Sequence, residues 1–178
     1  MDSTLHEPQE RVYIMKVPKN AKEATDRTTL PAGPDPDGPQ HVRILIVSEN
    51  DSLAEQLAKA LSEADLTWER ARSITAGCES ARSGRFQVIV TAPLLADGSW
   101  RRLIDIAAHY DAGFVVILVA STFDIQEWTE ALEYGAFDVL DALHELPGVA
   151  ECVKRAAWAA CLKGAGQRAE AIGSARAT

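Results

Sequence analysis

Between Val42 and Lys163 the sequence alternates five times between strand-like and helix-like segments, and this alternation constrains the fold more than any other feature. The strand-like segments are short runs rich in Val, Ile and Leu, which is typical of strands covered on both faces of a parallel sheet. The helix-like segments carry apolar residues at three- and four-residue spacing. Five such βα units, joined by right-handed crossovers, predict a doubly wound α/β domain with a five-stranded parallel sheet between two helix layers.

The predicted strands differ in polarity, and the difference indicates where each lies in the sheet. Leu66–Ala71 carries Thr, Glu and Arg, so we expect it at an edge. Gly113–Ala120 is the most hydrophobic run, so we expect it at the centre. The five predicted strands are 42–47, 66–71, 86–91, 113–120 and 137–140.

Polar and apolar spacing predicts how the helices begin and which faces they bury. Asp51 or Ser52 is placed to cap the first helix, because a side-chain oxygen there can accept from unpaired backbone N–H groups. A second helix over 75–83 is expected to bury Cys78 and Ala81. The helix over 124–134 is expected to bury four apolar residues: Ile125, Trp128, Ala131 and Leu132.

The two ends of the chain differ in composition from the part between them. Residues 1–40 hold most of the prolines and few apolar side chains, so we expect a disordered N-terminal tail. Within it, Arg11–Val17 is apolar enough either to dock on a partner or a sheet edge, or to remain a weakly adhesive stretch. The folded domain is predicted over 41–163, and 164–178, rich in Ala and Gly, is predicted to be a flexible C-terminal tail.

Charge and composition exclude several classes of function. The formal net charge is −8, which argues against nucleic acid or an anionic membrane as partner. The chain has no secretory signal at its N-terminus and no apolar run of membrane-spanning length, so we expect a cytoplasmic protein. Its three cysteines form no Cys-x-x-Cys pair and its four histidines are scattered, so we expect reduced thiols, no metal site and no cofactor.

Three loop motifs add a more specific signal. Ile44-Leu-Ile-Val-Ser-Glu-Asn-Asp51 is a hydrophobic strand that ends in acidic residues. Phe86–Gly98 is a strand followed by a loop that closes in Asp-Gly, and Ala131-Leu-Glu-Tyr-Gly-Ala-Phe-Asp-Val-Leu140 joins a helix to a strand. In order and spacing these motifs resemble the receiver domains of bacterial two-component response regulators, over about Val42 to Lys163. The resemblance implies a flavodoxin-like (βα)5 fold with strand order 2-1-3-4-5.

The resemblance also implies a phosphorylation pocket, and its residues do not match in this chain. Receivers hold Mg²⁺ with an acid pair after strand one and phosphorylate an Asp after strand three. They carry a Thr or Ser after strand four and a Lys-Pro step after strand five. The matching positions here are Ser48 and Glu49 for the acid pair, Ala92 for the acceptor, Val119 (or Ser121 with a two-residue slip) for the hydroxyl, and Ala142 for the lysine.

This degenerate pocket lacks the groups that phosphoryl transfer uses. Ala92 has no nucleophilic oxygen, and Ala142 supplies no cation to neutralise the transferred charge. The nearest substitutes are Asp97, Asp51 and Thr91; we expect Asp97 to serve the turn before Gly98 as an Asx-turn residue. The aromatic position of strand five is Val139. We therefore expect no catalytic residues and no enzymatic activity.

One acidic stretch is the remaining candidate for a binding surface. Residues 124–145 contain seven acids and neither Lys nor Arg, and they cover the fourth helix and fifth strand, where the resemblance implies contact with partners. The alternative is an ordinary solvated helix face. We predict a protein partner with a basic surface, or a homodimer through the fourth helix, fifth strand and fifth helix. The candidate partner-binding residues are Glu127, Glu130, Glu133, Asp138 and Asp141.

Three hypotheses of function follow. The first is a pseudo-receiver that acts as a phosphorylation-independent protein-interaction module in bacterial signal transduction. The second is a receiver phosphorylated at an unconventional acceptor, and the third is a flavodoxin-like domain that binds a flavin or another small molecule. A gain of phosphate mass would separate the first two, and the absorbance of the pure protein would test for a flavin.

Overall fold

The structure, a computed structural model, describes residues 42–122 and 124–175, with side chains described as far as residue 164. Five strands form one parallel sheet in the order β2-β1-β3-β4-β5. This confirms the predicted doubly wound sheet and its strand order. The predicted tail 1–40, with Arg11–Val17, lies outside the described residues. The strands are β1 (Arg43–Val47), β2 (Thr67–Ala71), β3 (Val88–Thr91), β4 (Val115–Ala120) and β5 (Asp138–Asp141).

Five helices connect and follow these strands: α1 (Asp51–Glu63), α2 (Ile74–Ala81), α3 (Arg101–His109), α4 (Ile125–Tyr134) and α5 (Val149–Ala175). A short antiparallel hairpin of Leu94–Leu95 and Gly98–Ser99 follows β3, and a 3₁₀ turn over Leu146–Gly148 leads into α5. Helix α5 continues past Lys163, so the backbone is helical where a flexible tail was predicted to begin; the flexibility itself stays a prediction. None of the described helices combines the length and apolar character that crossing a bilayer requires.

The alternation of side chains along the strands divides the core into two layers. Ile44 and Ile46 of β1 pack with α1 and α5 on one face of the sheet. Leu45 and Val47 pack on the other face with α2, α3 and the buried residue of α4, Ala131. The sheet therefore separates a layer of two helices from a layer of three, and α4 is the helix above the β5 edge.

The lateral order of the strands corrects one prediction. The most hydrophobic strand, β4, is not the central strand; it lies between β3 and β5, and β3 is in the middle. A strand is strongly hydrophobic when helices cover both of its faces, and this is true of β1, β3 and β4 alike. Hydrophobicity therefore does not tell which of the three strands lies in the middle of the sheet. The polar strand β2 lies at an edge, as predicted.

Helix α1 is capped one residue earlier than predicted. Asn50, not Asp51 or Ser52, is the N-cap, and its Oδ1 accepts a hydrogen bond from the backbone N–H of Leu53 at 3.1 Å. All three residue types can cap a helix, so composition alone could not select among them. Asp51 therefore takes no part in the cap, and its carboxylate pairs with two arginines instead.

The apolar stripe of α4 is the largest departure from the predicted burial. Ala131 is buried, but Ile125 is 83% exposed, Trp128 43% and Leu132 44%. The spacing predicted a helix with one apolar face, and that face exists. It is uncovered because α4 is the outermost helix of its layer, with α3 on one flank only.

Candidate functional site at the carboxyl edge of the sheet

The fold brings the predicted pocket residues to one edge of the sheet. The register pairs Val47 with Thr91 and Thr91 with Leu118, so Ser48, Ala92 and Val119 follow at one level. Ala120 pairs with Asp141, which places Ala142 one residue further out, level with Ser121. The carboxyl ends of parallel strands are where α/β sheets of this kind bind ligands, so this edge is the first candidate site.

Ser48 is used by the backbone of its own loop. It is buried, its Oγ donates to the carbonyl oxygen of Asn50, and the same Oγ accepts from the Asn50 N–H, both at 3.2 Å. These contacts hold Asn50 where it caps α1. Ser48 therefore shapes the β1–α1 turn rather than presenting an oxygen to the edge.

The two acids near the end of β1 are engaged within the chain. Glu49 accepts a hydrogen bond from the backbone N–H of Ala96 at 3.1 Å, which ties the loop of the β3 hairpin to β1. Asp51 forms ion pairs with Arg70 at 2.7 Å and Arg72 at 2.9 Å. The hydrogen bond from Arg70 is the main reason that the pKa of Asp51 lies below its usual value.

Arg70 of β2 and Arg72, which follows the strand, were not predicted as part of this edge. Arg70 also donates from Nε and Nη2 to the carbonyl oxygen of Ser48, at 3.3 and 3.0 Å. The sequence held a partial signal, because the second strand was expected beside the first and Arg70 and Arg72 stand at its carboxyl end. The two guanidinium groups supply positive charge next to the loop that carries Glu49 and Asp51.

The remaining pocket positions carry no ionisable group. Ala92 is partly buried against the α2–α3–α4 layer, and Val119 is fully buried in the layer of α1 and α5. Ala142 packs against that second layer, and its N–H donates to the carbonyl oxygen of Ala120 at 2.8 Å. Thr91 is buried and donates to the carbonyl oxygen of Ala92, and Ser121 is exposed.

Asp97 has a different role from the predicted turn. Its two carboxylate oxygens accept from the backbone N–H groups of Ile74 and Thr75, both at 2.8 Å. The bond from Thr75 is the main cause that lowers the pKa of Asp97 to about 2. Asp97 thus caps the start of α2 from the hairpin, beside the cap that Ser73 provides. The two residues lie more than twenty positions apart in sequence, which is why local turn rules missed the contact.

Most of the predicted partner-binding acids also have partners inside the domain. Glu127 completes a capping box with Asp124 at the start of α4. Glu130 pairs with Arg101 at 3.8 Å, and Asp138 contacts Arg155 at 3.4 Å. Glu133 is exposed on α4. The side chains of Glu127 and Glu130 therefore stabilise α4 and its contact with α3.

Asp141 lies at the end of β5 and is held by the turn that follows. Its carboxylate accepts from the backbone N–H of Leu143 at 2.8 Å and contacts Nδ1 of His144 at 2.6 Å. The hydrogen bond between the two side chains lowers the pKa of Asp141 and raises the pKa of His144. Glu145 accepts from the N–H of Asp141 at 2.7 Å. The turn is therefore ordered by two carboxylates.

Among the side chains that the structure describes, in 42–122 and 124–164, no three His, Cys, Asp or Glu converge in a way that could hold a metal ion. Cys78 and Cys152 are buried thiols, and Cys161 is partly exposed; none of the three forms a disulfide.

The fold is shared with solved receiver domains. The FixJ N-terminal domain superposes with a TM-score of 0.60 at 23% identity, covering 67% of this chain and 95% of that one. A receiver domain from Clostridium thermocellum gives 0.58 at 18% identity, with coverage of 65% and 94%. The Vibrio cholerae chemotaxis protein CheY4 gives 0.58 at 15% identity, with coverage of 65% and 98%.

The comparisons by sequence add no family assignment. No protein-family model matches the chain, and no curated protein matches it. At these identities the structural likeness shows a shared fold, and a fold by itself does not determine a function.

Proposed function

We propose that the chain is a pseudo-receiver, a domain with the receiver fold that accepts no phosphoryl group and acts in bacterial signal transduction by binding another protein. We place it in the cytoplasm and assign it no enzymatic activity. The observation that carries the proposal is Ala92, which occupies the carboxyl end of the central strand β3, where the receiver resemblance puts the acceptor Asp.

The surroundings of Ala92 support the proposal. Phosphoryl transfer needs an acceptor oxygen, hard anionic oxygens for Mg²⁺ and a cation for the transferred charge. Here the carboxylate of Glu49 is bound to the Ala96 N–H, and that of Asp51 is paired with two arginines. Ala142 supplies no cation. Using either acid for a metal would first require breaking these contacts.

A phosphodonor experiment tests the first part of the proposal. The full chain is incubated with acetyl phosphate and Mg²⁺, and its intact mass is measured. We expect no adduct, since the edge offers neither acceptor nor supported metal. A receiver domain with its acceptor Asp, treated in parallel, must gain about 80 daltons, the mass of one phosphoryl group.

An adduct of about 80 daltons on this chain would contradict the proposal and favour an unconventional acceptor. Its acid stability would then identify the chemistry, because an aspartyl phosphate hydrolyses readily and a threonine phosphate does not. Peptide mapping would distinguish Asp97, Asp51 and Thr91 as acceptors.

The second part of the proposal concerns the binding surface. We place it on the face formed by α4, β5 and the start of α5, with a partner that presents basic groups. The support is the run of seven acids in 124–145 without Lys or Arg. A homodimer through the same face is the alternative. Exposed charges of this kind act mainly on encounter rate and partner choice, so added salt should weaken capture of the partner.

A further inference from the structure

An apolar stripe runs along the outer side of α4. Ile125, Trp128 and Leu132 are spaced by three and four residues and share one face of the helix. All three are substantially exposed, at 83%, 43% and 44% respectively. Single exposed apolar residues are ordinary, but a contiguous row of large ones marks an interaction surface.

The rest of α4 packs tightly on the domain, so the exposure of the stripe is not the result of a loosely packed helix. On the α3 side, the rings of Trp100 and Tyr134 meet edge to face with centroids 5.5 Å apart. The guanidinium of Arg101 stacks over both rings, and the Tyr134 hydroxyl donates to Asp105 at 3.0 Å. Helix α4 is therefore fixed from one flank and presents the stripe on the other.

A groove lies at the foot of the stripe, above the ends of β4 and β5. Its volume is about 400 Å³, and the residues that line it include Trp128 and Val139. Asp141 and Glu145, at the two ends of the turn after β5, line it as well. An aromatic face next to carboxylates is the environment in which proteins hold the cationic end of Arg or Lys.

The charges around the groove are compensated only in part by cations nearby in sequence. The stretch 124–145 contains no Lys or Arg, and His144 already contacts Asp141. The backbone bonds to Asp141 and Glu145 hold the two carboxylates in position without neutralising them. The groove thus presents the carboxylate of Glu145, and that of Asp141 shared with His144, beside an apolar surface.

These features favour a different protein over a second copy of this chain. A two-fold contact through the stripe would place the acidic stretch 124–145 of both copies in one interface, and like charges in apposition disfavour association. The net charge of −8 adds to this repulsion. A partner that carries cations next to apolar residues meets no such penalty.

We infer that the stripe and groove bind an amphipathic peptide segment of a partner protein, which packs apolar side chains on Ile125, Trp128 and Leu132 and places an Arg or Lys in the groove against Asp141 and Glu145. The inference rests on the proposed function and specifies its partner. Helical segments that dock in this way present anchors at positions i, i+3 or i+4, and i+7, which matches the spacing of the stripe.

A peptide selection tests the inference. The full chain is used to select from a random library of peptides on the order of 16 residues, long enough for three helical anchors. We expect the selected peptides to be rich in Arg or Lys beside apolar residues at helical spacing. Each selected peptide is then synthesised and its dissociation constant measured by titration at low and at high salt.

Matched variants locate the binding. Trp128→Ser and Leu132→Ser should each weaken the selected peptides by about tenfold or more, as expected for anchor residues. Glu145→Gln keeps the acceptor for the Asp141 N–H and removes the charge, so it should weaken binding and reduce its salt dependence. Leu94→Ser alters another strongly exposed leucine, on the hairpin, and should leave binding unchanged. All four positions are exposed, so the fold is expected to survive, which circular dichroism checks.

Three results would overturn the inference. The first is selected peptides without cationic residues, or no selected peptides at all. The second is binding that Trp128→Ser and Leu132→Ser leave intact. The third is a dimer in analytical ultracentrifugation that these two variants dissolve, since a second copy would then cover the stripe. A phosphate adduct would defeat the proposed function alone, so the two failures are distinguishable.

Discussion

At the residue scale, Gly77 of α2 lies against β1 with no room for a side chain. A Cβ at this position would stand 2.9 Å from Cγ2 and 3.0 Å from Cγ1 of Val47. Val47 is fully buried, and a β-branched side chain in a strand has few alternative rotamers. Neither partner can give way at low cost, so the contact fixes how closely α2 approaches the sheet.

Gly77→Ala should therefore destabilise the domain. In an exposed helix the same change would stabilise by about 0.5–1 kcal/mol, whereas overpacking a core costs about 1–3 kcal/mol. We expect the free energy of unfolding, measured by urea titration, to fall. Gly113→Ala is the control, since its Cβ would meet open space. A Gly77→Ala protein more stable than wild type would show that Val47 relaxes freely.

Asp97 predicts a pH dependence of stability. Its pKa is about 2 in the folded chain and 3.8 ordinarily, so folding favours the charged form. A group with a lowered pKa contributes fully above its ordinary pKa and loses the contribution as the pH falls through the folded value. The part of the stability that Asp97 supplies should thus disappear between about pH 4 and pH 2.

Asp97→Asn should lower the thermal midpoint at neutral pH and flatten its decline over that acid window, because the amide does not titrate. Thermal unfolding at neutral pH and at several points below it measures both effects. Glu55→Gln, an exposed acid on α1, should reproduce neither. An acid decline equal to that of wild type would mean that Asp97 does not act through its charge.

At the element scale, the strands and helices were predictable and the lateral contacts were not. Hydrophobic runs and helical spacing reflect which residues other elements cover, and they predicted all five strands of the sheet. The resemblance to receiver domains implied the order of those strands. The hydrophobic pattern could not tell that α4 is the last helix of its layer. The stripe of Ile125, Trp128 and Leu132 has the pattern of a buried face, and only the arrangement of whole helices leaves it exposed.

The packing of α2 and α5 against the sheet predicts which of the three cysteine thiols react quickly in the folded protein. Burial, aided by Asp138, raises the pKa of Cys152 to about 12, and burial also raises the pKa of Cys78. Cys161, about two and a half turns beyond Cys152 on α5, is partly exposed. Because the thiolate is the reactive form, we expect only Cys161 to react quickly with a disulfide reagent in the native state.

Titration with such a reagent near pH 8 should give one fast thiol, and three after unfolding. Cys161→Ser should abolish the fast phase and leave the total in denaturant at two. Fast reaction of a second thiol in the native protein would indicate that the helix that carries it, α5 for Cys152 or α2 for Cys78, opens from the sheet more readily than its buried contacts suggest.

At the scale of the whole molecule, the acidic side chains near the carboxyl edge of the sheet bind other groups of the same domain. The sequence predicted which residues stand there, because strand ends determine the edge. It did not predict their partners, since Glu49 meets Ala96, Asp51 meets Arg70, and Asp97 meets Thr75 across the fold. Each contact joins segments separated by many residues, so loop motifs alone could not reveal it.

These contacts lead to the expectation that Ala92→Asp alone will not gain phosphate from acetyl phosphate and Mg²⁺. The new carboxylate would supply an acceptor oxygen, but Ser48 would still face its own turn and Ala142 would still carry no charge. Glu49 would have to leave the Ala96 N–H to reach a metal. Positioning and charge neutralisation provide nearly all of the catalysis in phosphoryl transfer, so an acceptor without them should remain unmodified.

Intact mass spectrometry of Ala92→Asp measures the outcome, with thermal unfolding to verify that the variant is folded. The triple variant Ser48→Asp, Ala92→Asp, Ala142→Lys is the comparison, because it restores an acid beside Glu49 and a cation as well as the acceptor. The folded triple variant should gain about 80 daltons under conditions in which Ala92→Asp alone gains none. Phosphate on the single variant would mean that Glu49, Arg70 and Arg72 already suffice for the transfer, and that the acceptor is the one group that the pocket lacks.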